Sequence, residues 1–261
     1  MVPIIVQMKN AIRFYLKKKG NIKSFVTVLL LLAVARIADA QTFQPYKSGI
    51  ISYHGYSFPI VPGTDEWKSI SHAQRVASLQ LPADTLQSIS TARLLETCLY
   101  YPFNIDIFAL DDQIYSFNRV KKQFNGYAEL YQRPDFVQEL MDLYNSRSVP
   151  LRNQMEVGYE KGRYATDYCI LECLLTDAAF LASDSQVAQI VTLLYEKKEQ
   201  KIQCSYGNIN RVVIALAIGR CLQRTTAFSD YQGGTLQAFL QSGKLTNVDD
   251  LDYIYTKAKD H

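Results

Sequence analysis

From Trp67 onward the apolar residues of this chain recur with the period of an α-helix, and no series of half-buried strands competes with that pattern. Two stretches go further. Residues 168–175 and 212–222 are apolar nearly all the way round, and helices of that kind are stable only when other helices cover them. The pattern therefore predicts two central helices with the rest of the chain packed around them.

The flanking segments supply that cover. Residues 69–79 and 82–89 read as short helices, the second with Pro82 in its first turn. Ser90 caps 91–101, where Leu94, Leu95, Cys98 and Leu99 form one stripe and Pro102 stops the helix. Ile114, Phe117, Val120 and Phe124 mark a further helix, which Asn125-Gly126 breaks, and Tyr127, Leu130 and Tyr131 start another turn or two. Pro134 opens a helix striped by Val137, Leu140, Met141 and Tyr144. Val187, Ile190, Val191 and Leu194 line an amphipathic helix that runs out into the charged residues 196–199. Residues 236–241 and 248–257 complete the set, with Asp249 and Asp250 where a helix dipole favours negative charge. About ten helices joined by short loops predict a single all-α domain over 67–261. Its architecture is a multi-helix array, either a HEAT- or armadillo-like α-α superhelix or an irregular bundle. No residue-level repeat of roughly 30–47 residues supports the superhelix. Residues 41–66 differ: Pro45, Pro59 and Pro62 with Gly49, Gly55 and Gly63 punctuate short β-leaning runs, which reads as an extended arm or small hairpin.

Residues 1–40 read as an export signal that is cleaved. Arg13, Lys17, Lys18, Lys19 and Lys23 precede the apolar run 25–35, and Ala38-Asp39-Ala40 has the small-x-small pattern of a signal-peptidase site. That run is shorter than the roughly 20 residues needed to cross a bilayer. No cysteine follows it, so no lipid attachment is expected. The expected location is the periplasm or the cell exterior. Removal takes seven of the 28 basic residues and one of the 25 acidic ones, leaving 21 against 24 and a net charge of −3. No basic surplus remains to indicate nucleic acid, and no later segment is long and apolar enough for a membrane span.

At 48% hydrophobic, 20% charged and 12% aromatic, with 12 Gly and 8 Pro, the chain is neither a disordered nor a collagen-like sequence. Five cysteines are too few for a disulfide scaffold. Cys169 and Cys173 share one helix face, a poor geometry for a bridge, whereas Cys204 and Cys221 could pair across helices.

Three motifs stand out: P-G-T-D-E-W-K at 62–68, S-T-A-R-L-L-E-T-C-L-Y-Y-P at 90–102 and F-N-G-Y-A-E-L-Y-Q-R-P-D at 124–135. In this order and spacing they resemble a family of uncharacterised exported bacterial proteins. The likeness spans residues 56–147. It implies export and a helical fold, and it carries no activity or functional residue across.

Chemistry-bearing patterns are sparse. His54, His72 and His261 belong to no ligand-spaced cluster, so no metal or cofactor is expected. No nucleophile elbow, P-loop or dinucleotide fingerprint occurs, and a Cys–His pair would need residues far apart in sequence. Asp249, Asp250 and Asp252 lack the glycine and closing glutamate of a calcium loop and read as helix capping. Glu172 and Arg220 each place a charge inside an apolar helix, where an unpaired charge is costly. They are expected to face each other or to reach a neighbouring charge or helix end. Eighteen tyrosines suggest aromatic platforms for a glycan. By helical phase Tyr127, Tyr131 and Tyr144 fall on core stripes, while Tyr100 and Tyr115 fall off them and are the candidate binding rings.

The function expected is an exported helical binding module for a protein, peptide or envelope glycan. The alternative is a hydrolase or lyase acting on envelope or dietary polymer through scattered carboxylates, and a third role is purely structural. A cleft gathering two or more titratable side chains between apolar walls would raise the enzyme reading. A large exposed apolar face would favour the structural one.

Overall fold

A computed structural model describes residues 45–261 apart from 47, 111, 157 and 207–209. The expected signal, residues 1–40, lies outside the described residues, as does the beginning of the arm.

Thirteen α-helices and one 3₁₀ helix make up the described chain, with no strand among the described residues. Polar caps set the early starts. Thr64 accepts from the Trp67 amide to begin α1 (Asp65–Ser69), and Ser71 forms a capping box with Gln74 at α2 (His72–Ser78). After α3 (Ala83–Ser88), Ser90 caps α4 (Thr91–Leu99). The 3₁₀ helix Pro102–Phe108 follows, and then Asp112 caps α5 (Gln113–Lys121). Next come α6 (Asn125–Leu130), α7 (Phe136–Ser146) and the single turn α8 (Leu151–Gln154). The long helices are α9 (Tyr159–Leu181) and α10 (Asp184–Gln203), the latter opened by a second capping box of Ser183 and Gln186. The chain continues through α11 (Arg211–Leu222), α12 (Thr235–Ser242) and α13 (Asp249–Lys259).

The two all-apolar stretches form the centre. One lies within α9 and the other is α11, and these two helices share the most extensive contact in the molecule. α11 packs against both α9 and α10, which touch each other only lightly, so α11 wedges between its two long predecessors. α13 covers the far side of α11, α7 flanks α9, and α4 joins α7 to α6. At Gly219 a β-carbon would come within 2.4 Å of Leu240 and 3.2 Å of Ile254, so glycine there lets α12 and α13 approach the α11 backbone.

Residues 45–64 form no hairpin among the described residues. They lie on the helical body as an irregular strap with Tyr46, Tyr53 and Phe58 buried. Side chains of α4 and α9 satisfy its backbone: the amides of His54, Tyr56 and Ser48 donate to Glu96, Thr97 and Glu160.

Cations close several helix ends from the side. Lys197 donates to the carbonyls of Asn145 and Arg147 at the end of α7, at 3.0 and 2.6 Å. Arg224 donates to Ala179 and Ala182 at the end of α9. These four bonds meet carbonyls at helix C-termini, where the last turn lacks intrahelical partners and the dipole is negative. All five cysteines are free thiols, so Cys204 and Cys221 are not bridged. No helix among the described residues is long and apolar enough to cross a membrane.

Candidate functional site

α9 carries two acidic residues into the core, and each organises a polar hub. Asp167 is fully buried. Its Oδ2 accepts from the Tyr46 hydroxyl at 2.7 Å and the Tyr100 hydroxyl at 3.0 Å. Arg163, one turn earlier, places Nε 3.3 Å from Oδ1, and Arg147 places Nη1 3.4 Å from Oδ2. Arg147 also donates through Nη2 to the Tyr100 hydroxyl at 2.7 Å. Burial pushes the Asp167 carboxyl above the usual carboxylate range, against the pull of Arg163 and Arg147. One carboxylate thus stands between two guanidinium groups, and the hub holds more positive than negative charge.

Tyr100 therefore does not offer the exposed ring expected of it. It is 1% exposed. Helical phase placed it off the apolar stripe, but α4 ends at Leu99 and Tyr100 occupies the C-cap, where the helical face no longer applies. Its ring meets Tyr46 and Tyr53 edge-on, and its hydroxyl is taken by Asp167 and Arg147.

The second hub is Glu172, also fully buried. It pairs with Lys201 of α10 and accepts from the Tyr144 hydroxyl and from Asn210 Nδ2, each at 2.8 Å. Arg220 is not its partner. Arg220 lies 3.9 Å from Asp177 and donates to the carbonyls of Leu240 and Gln241, sealing the last turn of α12, and to that of Thr176 in α9. Each of the two central charges has found a neighbouring charge, and Arg220 a helix end as well. Asp177 is shared further, pairing with Lys121 and accepting from Tyr131 at 2.6 Å.

Beside the Asp167 hub opens a cavity of about 1210 Å³. The end of α4 and the 3₁₀ helix form one wall, and the first turns of α5, α9 and α11, with Pro62 and residues 243–245 after α12, form the others. Ile114, Val212, Val213 and Leu245 give it apolar sides. Ile105, Phe108 and Tyr159 stand on its rim, 59%, 42% and 66% exposed. Tyr100 and Arg163 form part of its lining, in contact with the hub behind. The charged groups among its described lining are Arg163, Arg211, Lys244 and Asp112.

Titratable side chains between apolar walls are thus gathered in one cleft, as the enzyme reading asks. Their kind argues otherwise. Three of the four are cations, and the one carboxylate, Asp112, is occupied in capping α5 through the Tyr115 amide at 2.8 Å. A pair of carboxylates, or a nucleophile beside a base, is not assembled among the described lining residues.

Tyr115 is 55% exposed and lines a smaller cleft with Arg119 and Lys122. With Tyr100 buried, the two rings do not share a platform. His54 lies 3.8 Å from Glu96, and the His72 ring meets Phe103 edge-on. No group of three or more metal-ligating side chains occurs among the described residues.

Comparison with protein-family models, with curated proteins and with solved structures finds no match to this chain.

The sequence singled out neither Asp167 nor the cavity. Arg163 and Asp167 stand at i, i+4, a spacing that does announce an ion pair on one helix face. The cavity has no such signal, because its lining comes from six separate segments whose convergence is a tertiary fact.

Proposed function

We propose that this chain is an exported binding module whose ligand occupies the cavity beside the Asp167 hub. The observation that carries the reading is the cavity itself: large, open to solvent, walled by apolar side chains and positioned by helix ends fixed to a rigid core. Ligand sites are typically concave, mainly apolar and provided with a few placed polar groups. The charged groups that line this one suit recognition better than acid–base chemistry.

Gly162 makes the test direct. It lies on the cavity wall in α9, and a β-carbon there meets nothing within 4 Å. A Gly162→Phe variant fills the space from a helical position that tolerates a side chain. The wild-type protein is expected to bind the uncharged apolar dye Nile red at one saturable site. The variant is expected to lose at least tenfold in affinity while keeping its circular dichroism. Dye binding that is absent, or that is unchanged by Gly162→Phe, refutes the proposal.

A further inference from the structure

The inference rests on the cavity-binding reading and names the chemistry of the ligand. We infer that the cavity selects amphiphilic anions: an acyl or alkyl chain carrying a carboxylate or phosphate head.

The charge of the described lining points one way. Arg163, Arg211 and Lys244 face a single carboxylate, Asp112, which is already held by a backbone amide. Arg163 is not neutralised by Asp167, because that carboxylate is shared with Arg147. Among the described residues the ion-pair partner of Arg211 is the well-exposed Asp252 at 3.6 Å, and such pairs hold their charges weakly. Lys244 has no ion pair among the described residues.

Two helix starts add to the field. α9 and α11 both begin on the cavity wall, and neither has a capping side chain. Gly158 has no side chain to offer. Asn210 sits at the N-cap of α11 in the left-handed region, with φ 71°, and its amide donates to Glu172. The first-turn amides, uncapped by a side chain among the described residues, and the positive poles of these helices therefore lie on the same cavity wall as the three cations. A small anionic head bearing oxygen acceptors is the group that satisfies both.

The other half of the ligand follows from the rim. Ile105, Phe108 and Tyr159 are large apolar side chains left in water around the mouth, continuous with the sides formed by Ile114, Val212 and Val213. A free inorganic anion would leave them uncovered. A hydrocarbon chain covers them, and each methylene buried is expected to tighten binding about fourfold, the equivalent of about 0.8 kcal/mol.

Calorimetric titration of the purified protein tests each half. The probes are dodecanoate, monododecyl phosphate, uncharged dodecyl maltoside, cationic dodecyltrimethylammonium and inorganic phosphate, all as monomers in solution. Both anionic amphiphiles are expected to bind at one site at least tenfold more tightly than the uncharged and cationic ones, and inorganic phosphate far more weakly. Preference for the carboxylate assigns a free fatty acid as the source, and preference for the phosphate assigns a phospholipid head. Equal binding of dodecyl maltoside overturns the anionic head while leaving the cavity-binding reading intact. Inorganic phosphate binding as tightly as dodecyl phosphate overturns the chain. Failure of every probe, together with Nile red, removes the cavity reading itself.

An Arg211→Gln, Lys244→Gln double variant changes two side chains outside the core. It is expected to reduce the dodecanoate-to-dodecyl-maltoside affinity ratio at least fivefold, and an unchanged ratio refutes the inference. Ile105→Glu, which adds a negative charge at the exposed rim, is expected to reduce the same ratio and provides an independent check.

Discussion

Removing the ammonium of Lys201 isolates what holds the second hub together. Glu172 lies in the centre of α9, fully buried, and Lys201 is its one charged partner among the described residues. Methionine keeps most of the apolar stem of lysine and deletes the ammonium, which stands 4.5 Å from the centroid of the Tyr168 ring as well as against Glu172. Lys201→Met therefore leaves a buried carboxylate with two hydrogen bonds, from Tyr144 and Asn210, and no compensating charge. Breaking a buried pair in this way costs about 3–5 kcal/mol. For a domain of this size that corresponds to a fall in Tm of roughly 6–20 °C. A compensating change distinguishes lost charge from lost packing. In Glu172→Gln with Lys201→Met, the glutamine oxygen still accepts from Tyr144. The Asn210 amide can also turn over, presenting to the new Gln amide the Oδ1 that lacks a partner in the wild type. The double variant is expected to recover about 2 kcal/mol relative to Lys201→Met alone. Urea unfolding followed by far-ultraviolet circular dichroism measures all four corners of the cycle. A double variant no more stable than Lys201→Met would refute the claim that the uncompensated charge dominates.

Other expectations concern separate parts of the molecule. Gly219→Ala, which would gain stability in an ordinary helix, is expected to lose about 1–3 kcal/mol by denaturant unfolding, because the new methyl meets Leu240 at 2.4 Å; a stabilised variant would show that α12 can move aside. A disulfide reagent at neutral pH is expected to modify one thiol quickly, the half-buried Cys204. The buried four should react only on unfolding, Cys221 being pushed up to about 12 by desolvation, and Cys204→Ser should abolish the fast phase. Asp230 accepts from Lys257 and Tyr253, and these bonds, Lys257 first, hold its carboxyl below the usual range. Its contribution is then present at neutral pH and is lost as pH falls below about 4 toward that lower value. Asp230→Asn should flatten the acid side of the stability profile, the difference shrinking in high salt because the group is exposed, and identical profiles would exclude the contribution.

The central architecture was legible because residues 168–175 and 212–222 have no polar face to turn outward, so their position in the middle follows from burial alone. The same logic marked Glu172 and Arg220 as charges in need of partners. It could not name those partners, since Lys201 and Asp177 come from the far end of α10 and from the more polar end of α9. Residues 196–199 look like a solvated charge run, yet Lys197 within it is buried and pins carbonyls, and Lys201 just beyond it is buried against a carboxylate. Long side chains with apolar stems escape a simple division into inside and outside. Tyr100 is buried for a local reason: phase arguments hold inside a helix and lapse at the C-cap that follows its last residue.

A core whose aromatic rings end in oxygen also governs how such a protein can diverge. The hydroxyls of Tyr46 and Tyr100 are bound to Asp167, that of Tyr144 to Glu172 and that of Tyr131 to Asp177. Phenylalanine reproduces the ring at any of these positions but takes one hydrogen bond from the acid behind it. Exchange at these sites therefore costs a buried hydrogen bond, whereas the purely hydrocarbon positions of α11 can trade one aliphatic side chain for another of similar volume.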